Sequence, residues 1–183
     1  MSYLTYKHLN LHYSATGTGD VLVFLHGFLE EKGMWKESIG SFEKTHCVIC
    51  LDLLGHGKTE NLGYIHTMED QAKMLKFLLD ELGIRKCTLI GHSMGGYIAL
   101  AFAKLYPQNT KGLCLMNSTA LPDTKAKKLQ RDQAIKLVKQ HSNSFIRLAI
   151  PTLFSEKNKT VFTKEIDKIT EQALQMSPQG IVA

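Results

Sequence analysis

The 183-residue chain lacks any long apolar run, and no stretch reaches the eighteen or more apolar residues that a membrane-crossing helix needs. Its opening, MSYLTYKHLNLHYSATG, alternates polar and apolar residues and holds no apolar block of the kind a secretory leader carries. The expectation is a cytoplasmic protein with no membrane partner. Cysteine is scarce. Cys47, Cys50, Cys87 and Cys114 all fall inside apolar runs and are expected to be small buried core residues. Cys47 and Cys50 are three apart, so on a strand they face opposite sides and form no chelating pair. No second pair completes a zinc site, and no metal is expected. Reduced, unpaired thiols suit a reducing compartment. Repeats and low-complexity segments are absent.

Acidic residues are short in one region only. The net charge is +5, and between Asp123 and Glu171 eleven basic residues meet six acidic ones, which accounts for the whole excess. That segment reads as a solvated, lysine-rich helical surface. A nucleic-acid site needs aromatics interleaved with the basic residues. Phe145, Phe154 and Phe162 are too sparse and too apolar in context, so no nucleic-acid partner is expected. With 44% hydrophobic and 21% charged residues, the chain has the make-up of one globular domain with a real core.

What is present is an alternation. LTYKHLNLHYSA has period two and reads as one or two half-buried strands. VLVFLHG, HCVICLDLLGHG, KCTLIG and GLCLMN are short continuous apolar runs, the mark of strands buried on both faces. Between them, GMWKESIGSF reads as a short helix. Thr67, with Asp70 three residues on, caps a second helix. That helix carries Met68, Ala72, Leu75, Leu79 and Leu82 on one stripe and stops at Gly83. MGGYIALAFAKLY is apolar nearly all round and should be a buried helix. Strands alternating with helices predict an α/β protein with a mostly parallel sheet flanked by helices. After Asn117 the alternation stops. The boundary divides a core, residues 1–121, from a helical region, residues 122–183.

The chemistry concentrates in three loops. Gly91-His92-Ser93-Met94-Gly95 lies between a strand and a helix, the setting in which a sharp turn exposes a serine hydroxyl above a sheet. Side chains at Gly91 or Gly95 would collide with that turn, and Gly96 lets the helix approach the sheet. The Met94 N–H opens a helix and lacks a partner within it. A second amide is needed to hold an oxyanion. Phe28, in the loop after VLVFLHG, is the candidate. The His26 imidazole reads as a structural group that fixes its loop by hydrogen bonds. Asp52 and His56, in DLLGHGKT, read the same way, with Asp52 accepting loop amides. His26, Gly27, Gly91, His92 and Gly95 are expected to support the turns.

Taken in this order, FLHGF, DLLGHGKT and GHSMGG resemble the α/β-hydrolase superfamily. More narrowly, they resemble its small cap-bearing serine hydrolases of the esterase and carbon–carbon hydrolase type. The resemblance covers residues 1–121 closely and 122–183 loosely. It implies an α/β-hydrolase fold with a helical cap, Ser93 as nucleophile, and the Phe28 and Met94 amides as oxyanion hole. A serine at this position speaks against the dehalogenase and epoxide-hydrolase branches, which use an aspartate there. No cofactor is implied, and the partner is a small-molecule substrate.

The resemblance also implies an acid and a histidine later in the chain, in that order. No histidine follows His141, and no buried-strand pattern follows GLCLMN. His141 reads as a solvent-facing histidine at the end of a lysine-rich helix, Asn117 carries no charge, and Asp123 lies at a helix start. The expectation is therefore an N-terminal portion of a longer hydrolase. Its C-terminal strands would be missing, its apolar edge strand exposed and open to self-association, and its own esterase activity poor or absent. A non-catalytic ligand-binding protein on the same scaffold is the alternative, and a lyase or haloperoxidase of the same fold is a third reading.

Overall fold

The computed structural model describes residues 2–183. Six strands form one sheet in the order β1-β2-β4-β3-β5-β6. β1 (Ser2–Tyr6) and β2 (Leu9–Thr16) make an antiparallel hairpin, and β2 continues antiparallel onto β4 (His46–Leu51). β3 (Asp20–Leu25) lies parallel between β4 and β5 (Cys87–His92), and β6 (Thr110–Met116) lies parallel outside β5. The predicted mostly parallel sheet is thus observed, with every apolar run on a strand.

Period-two alternation explains why these runs need cover on both faces. On β4, Ile49 and Leu51 join one core cluster, while Val48 and Cys50 join another with Phe24 and Trp35. Cys47 packs on the first cluster and Cys50 belongs to the second, so the two thiols face opposite sides. The larger cluster is roofed by α2 (Met68–Glu81) and α3 (Met94–Leu105). Thr67 and Asp70 form the reciprocal capping box that the sequence predicts. Gly83 (φ 69°) ends α2, its N–H bonding Asp80 O while the Ile84 N–H bonds Leu79 O, the paired closure of a Schellman motif.

Two expectations need correction. Cys114 is exposed, not buried, because β6 is an edge strand among the described residues. Leu113 and Met116 on it are also exposed. The segment GMWKESIGSF is a 3-10 turn, Lys32–Trp35, followed by a single helical turn, α1 (Lys36–Ile39). His141 is exposed and, with φ −146° and ψ 58°, ends the first of the two helical segments that make up α4 (Lys125–Ala149), as the sequence expects.

After β6 the chain is helical: α4, then α5 (Glu156–Val161), α6 (Thr163–Ala173) and α7 (Pro178–Val182). These helices bury their own cluster, including Val138, Ile146, Ile150 and Ile166. Leu29 and Phe28, from the loop after β3, pack into it. That loop therefore joins the sheet to the helical region. No helix among the described residues is long and apolar enough to cross a membrane.

Candidate active site

β3 sends its chain to β4 on one side, whereas β5 sends its chain to β6 on the other. Their C-terminal ends diverge, and in open α/β sheets a crevice at such a switch point is where ligands bind. Phe28 follows β3 and Ser93 follows β5, so topology alone brings the two loops together.

Ser93 has φ 49° and ψ −112°, a left-handed backbone that a residue with a Cβ adopts only under constraint. Three hydrogen bonds supply the constraint. The Ser93 N–H donates to Met116 O (3.0 Å), and Ser93 O accepts from the Gly96 N–H (3.0 Å) and the Ser118 hydroxyl (2.8 Å). Glycines supply the room. A Cβ on Gly91 would overlap the backbone of Gly95. One on Gly95 would overlap Leu25 O and stand 2.7 Å from His26 O, and one on Gly96 would overlap the Ser118 side chain. The Ser93 hydroxyl does not cap its own helix. It borders a cavity of about 550 Å³ shared with Phe28, Met94, Tyr97, Asp123 and Arg131.

Phe28 and Met94 also border a second, adjoining cavity of about 250 Å³ with His56, Gln71 and residues of α4. Among the described residues neither the Phe28 nor the Met94 N–H has an acceptor. Two unpaired amides therefore sit on the loops that flank the serine hydroxyl, one of them at the start of the twelve-residue helix α3, where the dipole favours negative charge.

His26 is fully buried. Its Nδ1–H donates to Gly27 O (2.8 Å) and its Nε2 accepts from the Leu53 N–H (3.0 Å). Asp52 is buried and accepts the Lys32 and Lys58 amides (2.8 and 3.1 Å), with a contact to His12 Nδ1 at 2.7 Å. Gly27 donates to Glu30 Oε2 (2.5 Å), which also receives His92 Nδ1 (2.9 Å). That bond to Glu30 holds the His92 imidazole above its ordinary pKa despite partial burial. Burial pushes the Cys50 and Cys87 thiols up to about 12, which leaves them inert.

Burial also lowers the His26 pKa to about 3, with repulsion from His56 adding to it, and lowers that of His56. An unfolded His26 takes up a proton near pH 6.5 (about the free-imidazole value), whereas the folded residue does so only near pH 3. Its contribution to stability is complete above about pH 6.5 and is lost as pH falls below that value. His26→Gln should be less stable than wild type at about pH 7.5, by a margin that shrinks at about pH 5. Urea midpoints measure this, and a margin that grew on acidification would contradict a neutral His26.

No histidine among the described residues shares the Ser93 cavity. His141 borders a different cavity with Leu137, Phe145 and Leu148. His56 borders the adjoining one, with its Nδ1–H on Leu54 O (3.1 Å). Asp123 does reach the Ser93 cavity, but its carboxylate pairs with the Arg131 guanidinium at 2.5 Å. Each group stabilises the charge of the other. Asn117 has φ 48° just past β6, in the turn that brings Ser118 to Ser93.

The sequence reading missed Glu30, Arg131, Tyr97 and Ser118. Nothing local separates Glu30 from Glu31; Glu30 accepts the Gly27 amide three residues back, but its second partner, His92, and Ser118's partner lie 62 and 25 residues away.

The alpha/beta hydrolase fold family matches residues 20–155. The chain belongs to this family. It is 34% identical over 155 residues to a 2-hydroxy-6-oxononadienedioate/2-hydroxy-6-oxononatrienedioate hydrolase of Paraburkholderia phymatum, covering 75% of this chain and 54% of that protein. It is 36% identical over 115 residues to human epoxide hydrolase 4, covering 60% of this chain and 31% of that one. The solved structure of a thermophilic esterase from Thermogutta terrifontis superposes with a TM-score of 0.89 at 32% identity, covering 96% of this chain and 65% of that one. The chain thus spans about half the length, or less, of these two curated relatives. The matched residues take in β3 to β6, the serine turn, both loops with unpaired amides, and α4, which lies against the same cavities.

Proposed function

We propose that Ser93 is the nucleophile of a hydrolase that cleaves a small ester, thioester or activated carbon–carbon bond through an acyl-enzyme. The observation that carries this reading is the strained Ser93 backbone beside two unpaired amides in one cavity. Ser93 Oγ attacks the carbonyl carbon, its proton passes to a base, and the carbonyl oxygen gains negative charge facing the Phe28 and Met94 N–H groups. Collapse expels the leaving group, which takes the proton. Water then repeats the sequence on the acyl-serine and regenerates the hydroxyl. The names of the related carbon–carbon hydrolase and esterase agree with this chemistry. Residues 122–183 act as a cap, since Arg131 and Ile135 of α4 border the two cavities. The reading requires a histidine base, and no histidine among the described residues shares the Ser93 cavity. That requirement also favours a second reading, a ligand-binding protein that uses the same cavity without turnover.

A fluorophosphonate probe separates the two. In the protein as expressed from its gene, labelling that maps to Ser93 and disappears in Ser93→Ala supports the hydrolase. Absence of labelling would leave the binding reading.

A further inference from the structure

One carboxylate oxygen joins the two loops that carry the unpaired amides. Glu30 Oε2 accepts the Gly27 N–H at 2.5 Å and meets His92 Nδ1 at 2.9 Å. Gly27 directly precedes Phe28, and His92 directly precedes Ser93. The pair is mostly enclosed, with side-chain exposures of 14% for Glu30 and 22% for His92. A Cβ on Gly27 would stand 2.6 Å from the Glu30 carboxylate and 2.9 Å from the imidazole, so only glycine admits both.

The loop itself explains why a tether is needed. Gly27 to Glu30 is a turn, closed by a long backbone bond from the Glu30 N–H to Gly27 O (3.4 Å). Leu29 takes its third position with φ 62°, where glycine or asparagine is the usual occupant. Phe28 holds the second position, whose N–H takes no part in closing such a turn. A weakly closed turn with a strained third residue does not by itself hold that N–H in place. Leu29 is drawn down from one side by the helical cluster, and the Glu30 carboxylate fastens the other side to the strand end that carries Ser93.

We propose that Glu30 is a positioning residue. By bridging the Gly27 amide and the His92 imidazole, it keeps the Phe28 N–H aligned with the Met94 N–H on one oxyanion. This inference rests on the serine reading above. Glu30 touches no substrate, and it acts through the backbone of the next loop.

Saturation labelling of the gene-expressed protein with a fluorophosphonate tests it, because the maximal rate reports the charged phosphonylation transition state and half-saturation reports ground-state binding. Glu30→Ala should lower the maximal rate about 10- to 100-fold, less than or equal to the loss of a whole donor, with half-saturation unchanged. Glu30→Gln keeps an oxygen able to accept both bonds and should recover to within about threefold of wild type. Glu31→Ala, which removes a neighbouring charge outside the bridge, should label like wild type. A Glu30→Ala protein with unchanged maximal rate overturns the proposal. So does one in which only half-saturation moves, or a Gln variant as slow as Ala. A wild-type protein unlabelled at Ser93 removes the serine reading instead, and the alignment role with it.

Discussion

Asp52→Ala is expected to remove about 3–5 kcal/mol of folding stability, a large share of what a domain of this size possesses. The carboxylate is 1% exposed and has three partners from three separate segments. Lys32 N belongs to the turn after β3, Lys58 N to the glycine loop after β4, and His12 Nδ1 to β2. The backbone around it is shaped to its presence. Gly57 has φ 55°, and a Cβ there would strike the carboxylate carbon. Alanine would leave two amides and an imidazole without their acceptor, and each buried unpaired donor costs about 1–3 kcal/mol. Asp52→Asn offers one acceptor oxygen in place of two and should lose less, about 1–3 kcal/mol. Urea unfolding measures both. For a chain of this length the alanine variant should melt roughly 10 °C lower. A loss below about 1 kcal/mol would mean that the loops hold without their common acceptor.

That carboxylate shows how far the sequence carries. An aspartate at the end of an apolar run, followed by Gly55-His56-Gly57, reads as an acceptor for loop amides, and Lys58 N is such an amide. Lys32 and His12 are 20 and 40 residues away, and no spacing rule reaches them. The same division holds across the fold. Strand runs, the Thr67 cap and the Gly83 stop are local signals, and each is found where the sequence puts it. The serine turn is local only in part: Gly91 answers to a clash four residues on, whereas Gly95 makes room for Leu25 and His26 of the β3 end and Gly96 for Ser118, which no local pattern reports. Strand order is not local. β3 enters between β4 and β5, and this placement alone faces Phe28 toward Ser93. Exposure of Cys114 depends on what lies beside β6, which an apolar run does not report.

Ser93→Gly and Ser93→Ala should lose labelling alike, by at least about a thousandfold, and yet differ in stability. Both lack the hydroxyl. Alanine keeps the Cβ that makes φ 49° with ψ −112° unfavourable, a strain of about 1–3 kcal/mol for such a residue. Glycine removes that strain but adds about 0.5–1 kcal/mol of unfolded-chain entropy. The strain term is the larger, so the glycine variant should be more stable than the alanine variant by about 1 kcal/mol, roughly 2–4 °C in melting temperature. Equal stabilities would mean that the turn holds serine without strain. The comparison bears on function because three hydrogen bonds and three glycines hold Ser93 in this backbone while its hydroxyl makes no bond within the fold. A strained backbone whose hydroxyl has no partner among the described residues fits the chemical role proposed for Ser93. Loss of labelling together with a gain in stability for glycine over alanine would show both the strain and the chemistry at one residue.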